Sequence, residues 1–136
     1  MKVVAYRNDH SGLIEHEVIM HSPTESMTLE MLVSAYAHLG AIIVEQDDLP
    51  SHIYFPAWEL NGGEIVVNLE KAKEVAKIRI RAERNHALLA LDVAFQRALE
   101  TNADTSAIVK DKQRLRDLPK LADSAKSLEE LSGIHP

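Results

Sequence analysis

Residues 88–119, LLALDVAFQRALETNADTSAIVKDKQRLRDLP, decide the fold of this chain. Apolar residues recur at helical spacing on both sides of a polar segment at 102–105: Leu88, Leu91, Phe95 and Leu99 before it, and Ile108 and Leu115 after it. A second helix begins there, with Asp104 or Thr105 as its cap, and ends before Pro119. The stretch therefore predicts an antiparallel helical hairpin whose two apolar stripes face each other.

The first of these helices extends far upstream, because no Gly or Pro occurs between Leu69 and Asn102. Its first half is charged, with a thin apolar stripe of Val75, Ile78 and Ala82. A stripe this narrow leaves the helix half exposed. We therefore expect the chain to form a homo-oligomer.

The front of the chain, residues 1–69, predicts a small α+β domain with the element order ββαβββ. One helix is expected to pack on a small mixed or antiparallel sheet. The Asn61-Gly62-Gly63 turn is a strong hairpin signal, because glycine accepts positive φ. The predicted elements are strands at 2–7 and 13–20, a helix that Ser22 caps and Gly40 ends, and strands at 41–45, 52–60 and 64–69.

The end of the chain completes a three-part organisation. Residues 70–119 form the long helix and helical hairpin, and residues 120–136 follow as a linker and a short terminal helix. Ser127 with Glu130 predicts the start of that helix, and Gly133 its end.

Composition bounds the class of protein. The 136 residues are 46% hydrophobic and 26% charged, as in a folded globular chain. Cysteine is absent, so a disulfide framework and thiolate chemistry are excluded. No apolar run reaches the roughly 20 residues that span a bilayer, and the start has no signal-peptide stretch. We expect a cytoplasmic protein that does not enter a membrane.

The net charge of -6 is unevenly distributed. Residues 1–70 carry two basic and 11 acidic side chains, whereas the remainder carries 13 basic and 10 acidic ones. An acidic front disfavours nucleic acid, whose phosphates require basic partners. A regulatory nucleic-acid binder is nevertheless one possible function of the chain. It would use the basic helix 71–84, which contains Lys71, Lys73, Lys77, Arg79, Arg81 and Arg84. Glutamates between these basic residues can pair with them and reduce the positive electrostatic potential of the helix.

Catalytic and ligand motifs are not found in the sequence. It lacks HExxH, GxSxG, GxGxxG and P-loop patterns. Seven histidines raise a metal site as an alternative, with His10, His16 and His21 near the first hairpin, although they lack the spacing of a ligand set. We expect a protein that is not an enzyme and needs no cofactor.

Aromatic residues concentrate around Pro56 in a chain that is only 4% aromatic. Tyr54, Phe55 and Trp58 have two possible roles. They supply the core of the small sheet, or Tyr54 and Trp58 form a partly exposed anchor for a protein partner.

Polar residues of the hairpin predict local contacts. Asp92 stands on an otherwise apolar helix, so we expect it to pair with Arg114 or Arg116 of the next helix. Arg97 and Glu100 are placed to pair along one helix. A further set is expected to tie the second helix to the turn before Pro119: Gln113, Arg116 and Asp117.

Two stretches carry a resemblance to known proteins. The first is PAWELNGGEIVVNLEKAKE at 56–74, followed by R-x-R-x-x-R, the hairpin sequence and the closing SLEEL. It resembles a group of small phage and prophage proteins encoded among tail genes. The second, ALLALDVAFQRALE with IVKDKQRLRDLP, is similar to the C-terminal part of phage tail-fibre assembly proteins.

The resemblance implies a function by contact and no catalytic residue. It predicts a tail-associated protein that binds a phage tail or tail-fibre polypeptide, either as an assembly chaperone or as a virion component. Such a protein acts in the host cytoplasm during assembly and, as a component, remains in the particle. The interaction surface is expected on the helices and at the Trp58 hairpin.

Overall fold

The protein, seen in a computed structural model, is described at residues 1–18 and 28–136. It divides into two compact units, Met1–Lys71 and Ala72–Pro136. The front unit holds two small antiparallel sheets and a helix, and the second unit is helical. The predicted α+β class, with a long helix and a C-terminal helical hairpin, is confirmed. Residues 120–136 belong to the helical unit rather than forming a separate part.

The described residues of the front unit form five strands and one α-helix. They are β1 (Lys2–Arg7), β2 (Ile14–Val18), α1 (Leu29–Ala35), β3 (Ile42–Glu45), β4 (Trp58–Asn61) and β5 (Glu64–Val67). Strand β1 pairs antiparallel with β2 and with β3, which gives the order β2-β1-β3. Strands β4 and β5 pair with each other through a turn in which Gly62 and Gly63 have φ of 63° and 111°. These values explain why glycine occupies both positions.

Strand β1 is the centre of the front unit, because its residues from Val3 to Tyr6 are all buried. Successive side chains of a strand point to opposite faces. Ala5 packs in a cluster with Ile14 and Trp58. Tyr6 stacks on Tyr36, just beyond α1, with ring centroids 4.3 Å apart. The strand is therefore covered on both faces.

Two expectations for the front unit require correction. The sheet is split in two, and the strand predicted at 52–60 is replaced over His52–Ala57 by a 3-10 helix. The backbone of this segment is kinked at Tyr54, and Trp58 follows it with extended φ and ψ. The His52 and Phe55 rings are stacked at 5.0 Å, and Trp58 meets Phe55 edge-on at 5.2 Å. This aromatic stack stabilises the turn instead of an extended strand.

Helix α1 begins at Leu29, where the Thr28 side chain accepts a hydrogen bond from the Met31 amide. The cap predicted at Ser22, like the last two residues of the second predicted strand, lies outside the described residues. A 3-10 turn at Ala37–Leu39 follows, and Gly40 ends it with φ of 72°. The α-helix itself ends at Ala35, earlier than the predicted stop at Gly40, and Gly40 ends the 3-10 turn instead.

The helical unit is built on α2 (Leu69–Glu100), which begins at the predicted residue. Asn102 adopts a left-handed φ of 55°, and α3 (Ser106–Asp117) returns antiparallel to α2. Thr105 is the N-cap residue of α3, but its side chain makes no capping hydrogen bond. Asp104, one residue earlier, supplies the side-chain contact, because its carboxylate accepts hydrogen bonds from the amide and hydroxyl of Ser106. These bonds lower the pKa of Asp104.

The segment predicted as a linker, 120–126, is instead folded. It contains the short helix α4 (Lys120–Asp123), in which Ala122 is buried, and Ala125 is buried just after it. Helix α5 (Leu128–Ser132) follows, capped by Ser127 as predicted and ended at Gly133. The small alanine side chains allow the chain to lie close to its neighbours, and the contact of Asp123 with α2, described below, fixes the segment.

Candidate interaction surfaces

The predicted interaction residues of the hairpin fall into three burial classes. Leu115 is buried, and Ile78 and Leu99 are exposed. The remainder are half-buried: Val75, Leu88, Leu91, Phe95 and Ile108. The packing interface between α2 and α3 is thus only partly shielded from solvent. Leu99, which was predicted to belong to it, is 56% exposed.

The two helices of the hairpin are joined by a lysine. Lys112 of α3 places its ammonium nitrogen 2.6 Å from the Asp92 carboxylate of α2 and 5.1 Å from the centroid of the Phe95 ring. Asp92 does pair with α3, but the predicted arginine partners, Arg114 and Arg116, are wrong, because the partner is a lysine. Arg114 pairs with Asp111 on its own helix, at 3.1 Å.

The remaining predicted polar contacts are confirmed in part. Gln113 donates to Asp117 at 3.0 Å, and Lys120 lies 2.7 Å from the other carboxylate oxygen. Asp117 thus ties α3 to α4, and the hydrogen bond from Lys120 lowers the pKa of Asp117. Within the described chain, no ion pair joins Arg97 to Glu100, and Arg116 takes no part in the Asp117 contacts.

The aromatic pair of the front unit lies inside it. Tyr54 is 4% exposed and Trp58 is 3% exposed. The indole nitrogen of Trp58 donates to the Ser51 carbonyl at 3.3 Å. The sequence left two roles open for Tyr54 and Trp58. Both belong to the core of the front unit, and the prediction that they form a partly exposed anchor is wrong.

Most of the basic helix 71–84 is engaged within the chain. Lys71 pairs with Glu59 at 2.7 Å, Lys73 donates to the Asp123 carbonyl, and Lys77 contacts the carboxylates of Asp123 and Glu74. The Asp123 contact raises the pKa of Lys77, and the same contact lowers the pKa of Asp123. Phosphate binding would compete with these contacts, so the structure offers no specific support for a nucleic-acid function.

Arg79 holds the end of the chain against α2. Its guanidinium donates to the carbonyls of Leu131 and Ile134 at 2.9 and 3.1 Å and pairs with Glu83. His135 contacts Glu83 through Nδ1 at 3.0 Å and the Ser132 carbonyl through Nε2 at 2.8 Å. Hydrogen bonds from His135 and then Arg79 lower the pKa of Glu83. We call Arg79, Glu83 and His135 the C-terminal clasp.

The side of α2 that lies opposite its half-buried residues carries an apolar stripe. Ile78 is 69%, Leu89 65% and Val93 51% exposed, and Ala82 is exposed between them. At 100° per residue, these four side chains fall within about 60° of arc. We call them the outer stripe.

The helical unit also has an open groove of about 520 Å³. Its floor includes the buried Leu118, and the exposed Leu121 stands at its edge. Charged residues of both signs complete it: Arg114, Asp117 and His135, beside Gly133 and Ile134.

The front unit has an open cavity of about 480 Å³ with an acidic rim. Glu45, Asp48 and Glu64 line it together with Lys2. Among residues 1–18 and 28–136, no three His, Cys, Asp or Glu side chains are grouped to hold a metal ion. Across the same residues, no helix is both long and apolar enough to cross a bilayer.

Three residues make contacts that the sequence did not predict: Lys112, Asp123 and His135. Each contact joins residues that are distant along the chain, and no local pattern marks it.

No known protein family, curated protein or solved structure matches the chain.

Proposed function

We propose that this chain is a phage or prophage tail-associated protein that acts by binding another protein. It serves as a tail-fibre assembly chaperone or as a component of the tail. The sequence resemblance of 56–74 and 88–119 supports the tail context. The surface of the helical unit supports action by contact.

The observation that carries the contact function is the number of large apolar side chains exposed on the helices. Six of them are between 49% and 69% exposed: Ile78, Leu89, Val93, Leu99, Val109 and Leu121. Scattered single apolar residues are normal on a surface. Three of the six, Ile78, Leu89 and Val93, share one side of α2, and such grouping marks an interaction site. Burial of such side chains against a partner contributes roughly 25 cal/mol per Å² of apolar area.

The groove beside Leu121 is the proposed contact for the tail polypeptide. An apolar floor between charges of both signs suits an amphipathic segment, whose apolar side enters while its polar side meets Arg114 and Asp117. The groove lies wholly within the helical unit.

Co-expression with the tail and tail-fibre proteins of the same phage or prophage tests the proposal. Tagged full-length chain is expected to retain one of them through affinity purification, and Leu121→Arg is expected to lose it. Ile53→Arg is the matched control, because Ile53 is also an exposed aliphatic residue but belongs to the front unit. Failure of the unaltered chain to retain any of them would refute the proposal.

Mass spectrometry of purified particles separates the two roles. An assembly chaperone leaves after the fibre folds, so it is expected in cell lysate and not in particles. A tail component is expected in particles at a fixed ratio to a tail protein.

A further inference from the structure

We infer that the outer stripe of α2 is a self-complementary surface on which a second copy of this chain docks antiparallel. The inference does not rest on the tail-associated role. It rests on the spacing of the four apolar residues and on the charges beside them.

The spacing of the outer stripe is symmetric. Ile78 and Val93 lie equally far on either side of the point between Asn85 and His86, and so do Ala82 and Leu89. A two-fold axis through that point sets Ile78 of one copy against Val93 of the other. It also sets the large Leu89 against the small Ala82, so that a protruding side chain meets a recess. Such a surface is the same on both copies, as a two-fold interface requires.

A parallel arrangement lacks this complementarity. Each residue then meets its own counterpart at the same height, so Ala82 faces Ala82 and leaves a gap between bulkier neighbours. Gaps forfeit dispersion contacts on both sides. The antiparallel arrangement fills them.

The charges beside the stripe favour the same arrangement. Arg81 and Asp92 lie on the same border of the stripe, at about 300° and 320° when Ile78 is set to 0°. In an antiparallel two-fold pair, this border faces its own counterpart, and Arg81 of one copy then lies about 3 Å along the axis from Asp92 of the other. Asp92 contacts Lys112 through one oxygen, and its side chain is 55% exposed. Two ion pairs therefore flank the apolar contact.

The stripe is short, and this sets the expected strength of the pair. Ile78 to Val93 spans about 22 Å of helix. The resulting contact is smaller than a standard protein interface of roughly 1,600 Å², so we expect association at micromolar concentration rather than an obligate dimer.

Single cysteines test both the contact and its direction, because the natural chain has none. His86 lies beside the proposed axis, so His86→Cys is expected to form a disulfide-linked dimer under mild oxidation. Ile78→Cys is expected to remain monomeric under the same conditions, because its counterpart lies far beyond the roughly 7 Å between Cα atoms that a disulfide bridges. Cross-linking of both variants would indicate a parallel pair and overturn the proposed geometry. Cross-linking of neither, with native helix content by circular dichroism, would overturn the docking site.

A charge exchange gives an independent test that does not depend on oxidation. Arg81→Glu and Asp92→Lys, each alone, bring like charges together and are expected to weaken self-association about tenfold. Mixed in equal amounts, the two variants are expected to form a heterodimer. The introduced glutamate of one chain then meets the introduced lysine of the other, and the unaltered Asp92 of the first chain meets the unaltered Arg81 of the second. Asp92→Lys also removes the contact with Lys112, so native helix content of both variants is first confirmed by circular dichroism. If both variants are folded and the mixture associates no better than either alone, the pairing is wrong.

Neither experiment involves a tail protein. Failure of the self-association tests therefore leaves the retention test of the proposed function unaffected.

Discussion

Lys112 makes the most informative single contact in the helical unit. Its ammonium group bonds Asp92 across the hairpin while lying near the face of Phe95. The aliphatic stem meanwhile lies over half-buried surface, since the side chain is only 16% exposed. One residue thus supplies an ion pair, a cation–π contact and packing.

Replacement of Lys112 by methionine keeps the stem and removes the charge. We expect the free energy of unfolding to fall by about 1 kcal/mol, as for a partly exposed pair with an added aromatic contact. Urea denaturation followed by circular dichroism measures it. Lys110→Met is the control, because Lys110 is exposed on the same helix. Equal stability of the two variants would contradict the role of Lys112.

Acid is expected to weaken the helical unit through its paired carboxylates. Contacts with cations lower the pKa of Glu83, Asp117 and Asp123. A lowered folded-state pKa means that the stabilisation is complete above the ordinary value near 4 and is lost as the pH falls through the lowered value. The urea midpoint is therefore expected to fall between about pH 5 and pH 3.

Asp123→Asn provides the comparison for this pH dependence. The amide does not titrate, so the variant is expected to be less stable at neutral pH and to lose less on acidification. A pH dependence as steep as that of the unaltered chain would show that Asp123 makes no contribution to it.

The sequence does not correctly predict which residue of α3 pairs with Asp92. The pattern predicted an arginine from α3, Arg114 or Arg116, because the hairpin brings the two helices side by side, and the structure has Lys112 instead. Which cation arrives depends on the left-handed Asn102 and the hydrogen bond from the Ala103 amide to the Ala98 carbonyl, which set the offset of α3 along α2. A loop of this length permits several offsets, and each selects a different residue of α3.

Among the secondary-structure elements, helical periodicity predicted the long helix more accurately than the β-forming residues predicted strand boundaries. The uninterrupted pattern from Leu69 predicted α2 correctly, because nothing in it competes with helix. The aromatic segment before Trp58 was read as a strand from its β-forming residues. Pro56, which has no backbone N–H and is disfavoured inside a strand, was the signal against an extended segment. The folded segment at Ala122 lacked any such signal, since its burial depends on contacts with distant residues.

The aromatic stack is expected to hold the front unit together. Trp58→Ala removes a buried side chain that packs with Ala5 and Ile14, which typically costs about 3–5 kcal/mol. The expected result is loss of near-ultraviolet circular dichroism and of amide protection in β1. His52→Ala is a milder control, because His52 is exposed and contributes a ring contact only. Unchanged protection in Trp58→Ala would contradict this core.

The C-terminal clasp is expected to fix α5 on α2. Arg79→Met removes the hydrogen bonds to Leu131 and Ile134 and is expected to cost about 1–3 kcal/mol. Hydrogen exchange at the α5 amides is expected to accelerate. Arg84→Met is the matched control, because Arg84 bonds only the adjacent Asn85. Equal exchange in both variants would show that the clasp does not hold α5.

For the whole molecule, the two units differ in what they leave exposed. The described part of the front unit buries its aromatic core and central strand and exposes four large apolar side chains, Met1, Met31, Ile43 and Ile53. The helical unit exposes six large aliphatic side chains, three of which share one side of α2. Amphipathic periodicity predicted a partly exposed α2. It identified Ile78 and Ala82 as part of a thin apolar stripe, but it did not show that Leu89 and Val93 continue that stripe or that Val75 is half-buried.

Sedimentation equilibrium of the full-length chain, from micromolar to sub-millimolar concentration, tests the central claim that the outer stripe of α2 is a surface on which a second copy of the chain docks. We predict a weight-average mass that rises from one chain towards two, and a Leu89→Lys variant that stays at one chain with unchanged helix content. An unaltered chain that remains strictly monomeric over this range, or a variant that associates equally well, would contradict the account.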